Sequence, residues 1–166
     1  PAVKSIYPAL ASQFVLLPLV DYGFGHDPAN PTAEEAKRLE ADRWFRLMTL
    51  AALPAQLGVL AWSGWHFAHA GFGPAGIVGW LLSQGIVGGV LAINVAHELI
   101  HKDTALERAA GGLLLTSVGY HGFKIEHVRG HHVHVSTPED ASSARFGQSL
   151  WHFLPRALLR NTANAW

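Results

Sequence analysis

The stretch LMTLAALPAQLGVLAWSGWHFAHAGFGPAGIVGWLLSQGIVGGVLAINVA, residues 47–96, contains no Asp, Glu, Lys or Arg. A soluble helix turns some face to water and carries charge there, whereas a bilayer core excludes charge locally. Leu47 to Phe67 and Ala75 to Ala96 are each long enough to cross the hydrocarbon layer, which takes about 20 helical residues. Gly71, Gly73 and Pro74 interrupt the run and supply a turn. The stretch therefore predicts a transmembrane helical hairpin rather than the buried hairpin of a soluble protein. Gly85, Gly88 and Gly89 in the second span allow another helix to approach closely.

Working outward, residues 6–20 are apolar apart from Ser12 and Gln13 and read as a partial or full span. Gly23, Gly25, Pro28, Asn30 and Pro31 punctuate a loop. Residues 32–46 read as a polar helix, with Thr32 as cap and Glu35 three residues on. Beyond the hairpin, Ala109 to Phe123 is again uncharged but too short to cross, which suits a helix lying at the interface. Thr137-Pro138-Glu139-Asp140 has the composition of a helix start. The fold class expected is all-α: a polytopic transmembrane helical protein, one membrane-embedded domain over residues 1–166. The chain opens at Pro1 without Met and stops at Trp166 in helix-like sequence, so both ends read as cut.

The basic residues give the spans a direction. The turn carries none, whereas Lys37, Arg38, Arg43 and Arg46 precede the hairpin and Lys102 and Arg108 follow it. The positive-inside rule puts both flanks in the cytoplasm, and residues 97–140 with them. The 12 basic and 12 acidic residues balance, which gives no electrostatic basis for nucleic-acid binding. With no cysteine, thiolate zinc sites, iron–sulfur clusters and disulfides are excluded.

Histidine is the abundant metal-ligand type that remains. His97-Glu98-Leu99-Ile100-His101 lies where the second span meets polar sequence, and Glu126-His127-Val128-Arg129-Gly130-His131-His132 follows after the interfacial segment. Residues four apart share a helix face, so His97 pairs with His101 and His127 with His131. His132 stands roughly 100° further round and is placed to reach a second ion. Five imidazoles exceed what one tetrahedral zinc needs and suit a two-metal site or one with open positions for oxygen. Nitrogen ligands alone do not choose between iron, zinc, copper and nickel. Glu98, Glu126 and Asp140 are candidates to orient ligand rings, and His121 and His134 to stand as ligands or near neighbours. His66 and His69 read as interfacial residues, His26 and His152 as surface ones. Trp44, Trp62, Trp65 and Trp80 suit an interfacial belt better than a substrate channel. Lys102, Arg108, Lys124, Arg129 and Arg145 offer themselves to an acidic electron donor. His97-Glu98-x-x-His101 also satisfies the pattern of an intramembrane zinc metalloprotease with Glu98 as base, but that chemistry needs one further ligand, not three histidines.

The run from Asn94 to Lys102 resembles the first histidine box of the membrane-bound alkane 1-monooxygenases, and the run from Ile125 to Asp140 resembles their second box with its Thr-Pro-Glu-Asp extension. Leu17-Pro18-Leu19-Val20-Asp21 and Asn30-Pro31 are also similar to that family, and the histidine-box plan extends to xylene monooxygenases and to fatty acid desaturases and hydroxylases. The resemblance implies a six-helix membrane fold in the bacterial inner membrane. It implies two non-haem iron ions, O2 as co-substrate, and hydroxylation of the terminal methyl of a medium-chain alkane or related hydrocarbon, with a hydrophobic small-molecule substrate and membrane lipid as partners. Electrons would come from rubredoxin and rubredoxin reductase. By matched position His97, His101, His127, His131 and His132 are the expected iron ligands. The family's third box, and its Asn-Tyr-x-Glu-His-Tyr-Gly motif, do not occur in this sequence.

Overall fold

A computed structural model describes residues 7–25 and 29–166; Ile6, at the start of the first expected span, and His26 and Pro28 lie outside the described residues. Among the described residues every regular element is helical. Helix α1 runs through Pro8–Ala11, Ser12–Leu16 and Leu17–Phe24, the middle piece widened to a π-type turn. Helix α2 is Ala33–Ala41, held at its start by a reciprocal Thr32–Glu35 capping box. It is shorter than the expected polar helix. Asp42 takes an extended conformation and its Oδ1 accepts from the Trp44 N–H, so Arg43 to Arg46 form the first turn of the next helix.

Helix α3 is Arg43–Ala70, and α4 is Pro74–Ile100, which includes a π-widened stretch at Gly88–Asn94. Gly71, with φ +61°, ends α3 in the left-handed region that favours glycine, and Pro74 opens α4. Both helices are long and apolar enough to span a membrane, yet only 17% of each apolar window is buried within the structure. Leu57, Trp62, Trp65, Leu81, Leu82 and Val90 are all exposed. A soluble core hairpin hides such residues; an outward-facing apolar surface of this extent belongs in lipid or against further membrane helices. At the turn end, far along α3 from the other histidines, Trp62 stacks on His66, Trp65 on His69, and Phe67 meets Trp80, an aromatic belt.

The opposite end of the hairpin carries the chemistry. Helix α5, Ala105–Ser117, folds back across the end of α4 and α3. Leu99, Ile100, Ala110, Leu114 and Leu115 pack there with Ala52, Ala92 and Ala96 into a small core. The approach is close because Gly111 has no side chain: a Cβ there would lie 2.9 Å from Ile100 Cγ2 and 3.1 Å from the Ala96 carbonyl. Gly119, with φ +71°, then reverses the chain into α6, which runs through Phe123–Glu126, His127–His131 and His132–His134. Helix α7 is Leu150–Asn164, capped by Ser149. The expected helix start at Thr137 to Asp140 is instead a turn. Thr137 Oγ1 donates back to the His134 carbonyl, and the Asp140 carboxylate accepts from Ser142 N–H and Ser143 Oγ. These side chains satisfy loop groups in place of capping a helix.

Candidate metal centre

His97 stands in the last turn of α4 and His101 caps it, four residues apart, with ring centroids 5.0 Å from one another. The fold-back through α5 brings α6 alongside, and the buried His127 sits between them, 4.5 Å from the His97 ring and 5.1 Å from that of His101. Each of these three offers a nitrogen within 4.8 Å of the others. His132 joins them: its ring is 4.8 Å from that of His101, and its Nε2 is 3.0 Å from His127 Nε2. His127 Nε2 is also 3.1 Å from His101 Nε2.

Helix geometry explains which histidine of the second box turns inward. Residues His127–His131 form a π-type turn, in which the fifth residue on, not the fourth, returns to the starting face. His132 therefore meets His127 nitrogen to nitrogen, where regular α-helical spacing gives that place to His131. His131 stacks beside His127 at 5.4 Å, and its Nδ1 is 2.9 Å from Asp140 Oδ2. A ring whose Nδ1–H donates to a carboxylate presents its Nε2 lone pair to a metal.

Glu98 Oε1 lies 3.5 Å from His97 Nδ1, on the side of the ring away from a metal bound at Nε2. Glu126 is buried and its Oε1 accepts from Asn164 Nδ2 of α7. His121 packs edge-on against Trp166, and His134 is exposed; the structure does not bring either into the cluster. Phe123, which no sequence pattern singles out, stacks its ring on His127 at 4.7 Å and walls the site. Glu107 is buried and paired with Arg46 Nε at 3.3 Å, and its one signal in the sequence is Thr104 three residues earlier, which marks a capping pair. Of the five cations suggested for docking, two are engaged internally: Arg108 donates to the carbonyls of Lys102 and Asp103, and Lys124 Nζ donates to that of Arg108. Lys102, Arg129 and Arg145 are exposed.

The donor set fits a metal ion. One imidazole nitrogen has either one hydrogen or one lone pair, so His127 Nε2 cannot bond well to two neighbouring nitrogens at once. A cation receiving the lone pairs removes that conflict. Nitrogens at about 2.1 Å from one ion and at right angles to each other lie about 3.0 Å apart, close to the separations seen. Burial first, and then the charges that His97, His132, His101 and His131 would carry, push the His127 ring down to about 4. The His101 ring is likewise lowered by burial and by His132 and His97. Both imidazoles are neutral, and able to ligate, at pH 7.

Two exposed apolar helices long enough to span a membrane, with a histidine cluster at one end of their hairpin, define an all-α membrane protein with a candidate metal centre. The Fatty acid desaturase family pattern matches residues 72–166, from the second span through α7, and the chain belongs to that family. Over 92% of its length the chain is 57% identical to alkane 1-monooxygenase 2 of Pseudomonas aeruginosa and 49% identical to alkane 1-monooxygenase 2 of Alcanivorax borkumensis. It is 32% identical over 92 residues to the xylene/toluene monooxygenase hydroxylase component of Pseudomonas putida. The chain spans 41% and 40% of the two alkane 1-monooxygenases. Nothing among these relatives favours the protease alternative. Histidine-box metal binding is what this family and the converging rings have in common.

Proposed function

We propose that this protein is part of a membrane-bound non-haem diiron monooxygenase that hydroxylates the terminal methyl of medium-chain alkanes, using O2 and electrons from rubredoxin and its reductase. The observation that carries the reading is the convergence of His97, His101, His127 and His132 at one end of a lipid-facing hairpin. The similarity to alkane 1-monooxygenases supports the choice of reaction. His131, oriented by Asp140, completes the five expected iron ligands. The basic residues at the cluster end support a cytoplasmic site in a bacterial inner membrane.

Iron held by these histidines would supply the oxidising power for inserting one oxygen atom of O2 into an unactivated C–H bond. The chain's own residues hold and shield the site. His97 and His101 are fixed by the last turn of α4, which α5 pins through Gly111. Phe123 covers one face of His127 and keeps water from it. The exposed apolar surface of α3 and α4 lets a hydrocarbon reach the cluster from the bilayer without crossing water. Exposed Lys102, Arg129 and Arg145 give an acidic electron donor a surface to meet.

The test is turnover by the protein in native membranes, supplied with n-octane, O2, reduced rubredoxin and its reductase. Formation of 1-octanol that requires iron and is abolished by His127→Ala supports the reading. Turnover of xylene or a fatty acyl chain with none of octane would move the substrate class within the family, and release of peptide fragments without reductant would replace the reaction altogether.

A further inference from the structure

Gly130 and Glu126 occupy one volume. Glu126 is buried, stands four residues before Gly130 on α6, and lays its carboxylate over the bare Cα of that glycine. A Cβ added at Gly130 would lie 2.6 Å from Glu126 Cδ and 2.7 Å from Oε1, closer than atoms not bonded to each other can stand. Withdrawing the carboxylate breaks the hydrogen bond that its Oε1 accepts from Asn164 Nδ2 at 3.1 Å and leaves a buried carboxyl without that partner. The same stretch, His127–His131, is the widened turn. That widening is what brings His132 Nε2 to 3.0 Å from His127 Nε2 and leaves His131 Nδ1 to Asp140.

We infer that the bare Cα of Gly130 lets the buried Glu126 carboxylate sit over the turn without a clash, a steric interlock that preserves the winding of the second box and so keeps His132, of the adjacent pair His131 and His132, facing His127. Gly130 is a positioning residue. A side chain there displaces the Glu126 carboxylate, which must either give up its Asn164 hydrogen bond or press into the turn and change its winding. Each residue of altered winding swings the following ring by roughly 100°. The histidines remain present while the nitrogens cease to converge, so the change reads out as altered coordination and not only as lost stability. The inference rests on the cluster's binding a metal.

Cobalt(II) titration of the metal-free protein in detergent tests it, with visible absorption reporting both affinity and coordination geometry. Wild type, Gly130→Ala, Glu126→Ala, the Glu126→Ala/Gly130→Ala double variant and His132→Ala are compared, with circular dichroism as the measure of fold. The expected result is at least tenfold weaker cobalt binding with a shifted spectrum for Gly130→Ala. The double variant, whose missing carboxylate makes room for the new methyl, recovers to within a few-fold of Glu126→Ala. Should Gly130→Ala fail to fold, recovery of both fold and spectrum in the double variant carries the same meaning. Wild-type binding by Gly130→Ala, or a double variant no better than Gly130→Ala, overturns the interlock. Equal binding by wild type and His132→Ala would instead strike at His132 as a ligand, and no binding by wild type at the metal centre itself.

Discussion

His131 Nδ1 lies 2.9 Å from Oδ2 of Asp140, and the Asp140 side chain is fully enclosed. Burial alone would push that carboxyl up. Hydrogen bonds from Ser143 Oγ, the Ser142 N–H and His131 outweigh it and hold the group below its ordinary value. Asp140 is therefore ionised at neutral pH and fixes the tautomer of His131. Asp140→Asn keeps the shape and removes the charge. Iron affinity, measured by competition with a chelator, is expected to fall by about 10–100-fold, the usual effect of losing a carboxylate behind a histidine ligand.

The metal-free protein has a pH dependence whose sign follows from His127. Its ring protonates near 6.5 when unfolded and at about 4 when folded. Between those values the unfolded chain takes up a proton that the folded chain refuses. The contribution to stability is therefore full above about pH 6.5, declines as pH falls, and is lost as pH passes about 4. Thermal unfolding of metal-free protein at pH 7.5 and 4.5 is expected to show this loss, and His127→Phe to flatten it.

Gly111 sets how tightly α5 presses on the first box. A Cβ there meets Leu99 Cβ at 3.0 Å and a backbone oxygen, that of Ala96, at 3.1 Å, and main chain cannot rotate away. Gly111→Val is expected to cost about 1–3 kcal/mol through overpacking. Melting in detergent, read alongside iron content, checks it; a melting temperature at or above that of wild type would contradict the packing described.

Glu107 ties the start of α5 to the start of α3. Its carboxylate pairs with Arg46 at 3.3 Å and accepts from Thr104 Oγ1 at 2.5 Å. Arg46 is half-exposed and finds water when its partner is gone, so the loss is modest. Glu107→Ala is expected to destabilise by about 1–2 kcal/mol, mostly because the Thr104 hydroxyl loses its acceptor. Chemical denaturation measures this, and Glu107→Gln, which retains the hydrogen-bond acceptor, is expected to lose less.

The hairpin was plain in the sequence because charge exclusion leaves an unmistakable gap from Leu47 to Ala96, and Gly71 and Pro74 mark its turn. The two histidine groups were equally plain, since four-residue spacing on a helix needs no tertiary knowledge. The winding of α6 was not legible. Spacing assumes a regular helix, whereas His127–His131 form a widened turn, with the Glu126 carboxylate lying over Gly130 and bonded to Asn164, which is distant in sequence. The misread helix start at Thr137 to Asp140 has a similar origin. Capping residues look the same in sequence whether they serve a helix or, as Asp140 does, a loop and a histidine.

Iron K-edge X-ray absorption of the purified protein, compared with His127→Ala, tests most directly whether these rings hold the metal. The expected spectrum shows a shell rich in imidazole nitrogen, with the outer-ring scattering of histidine, that loses intensity and becomes more oxygen-rich in the variant. An iron environment without histidine scattering, or one unchanged when His127 is removed, would contradict it.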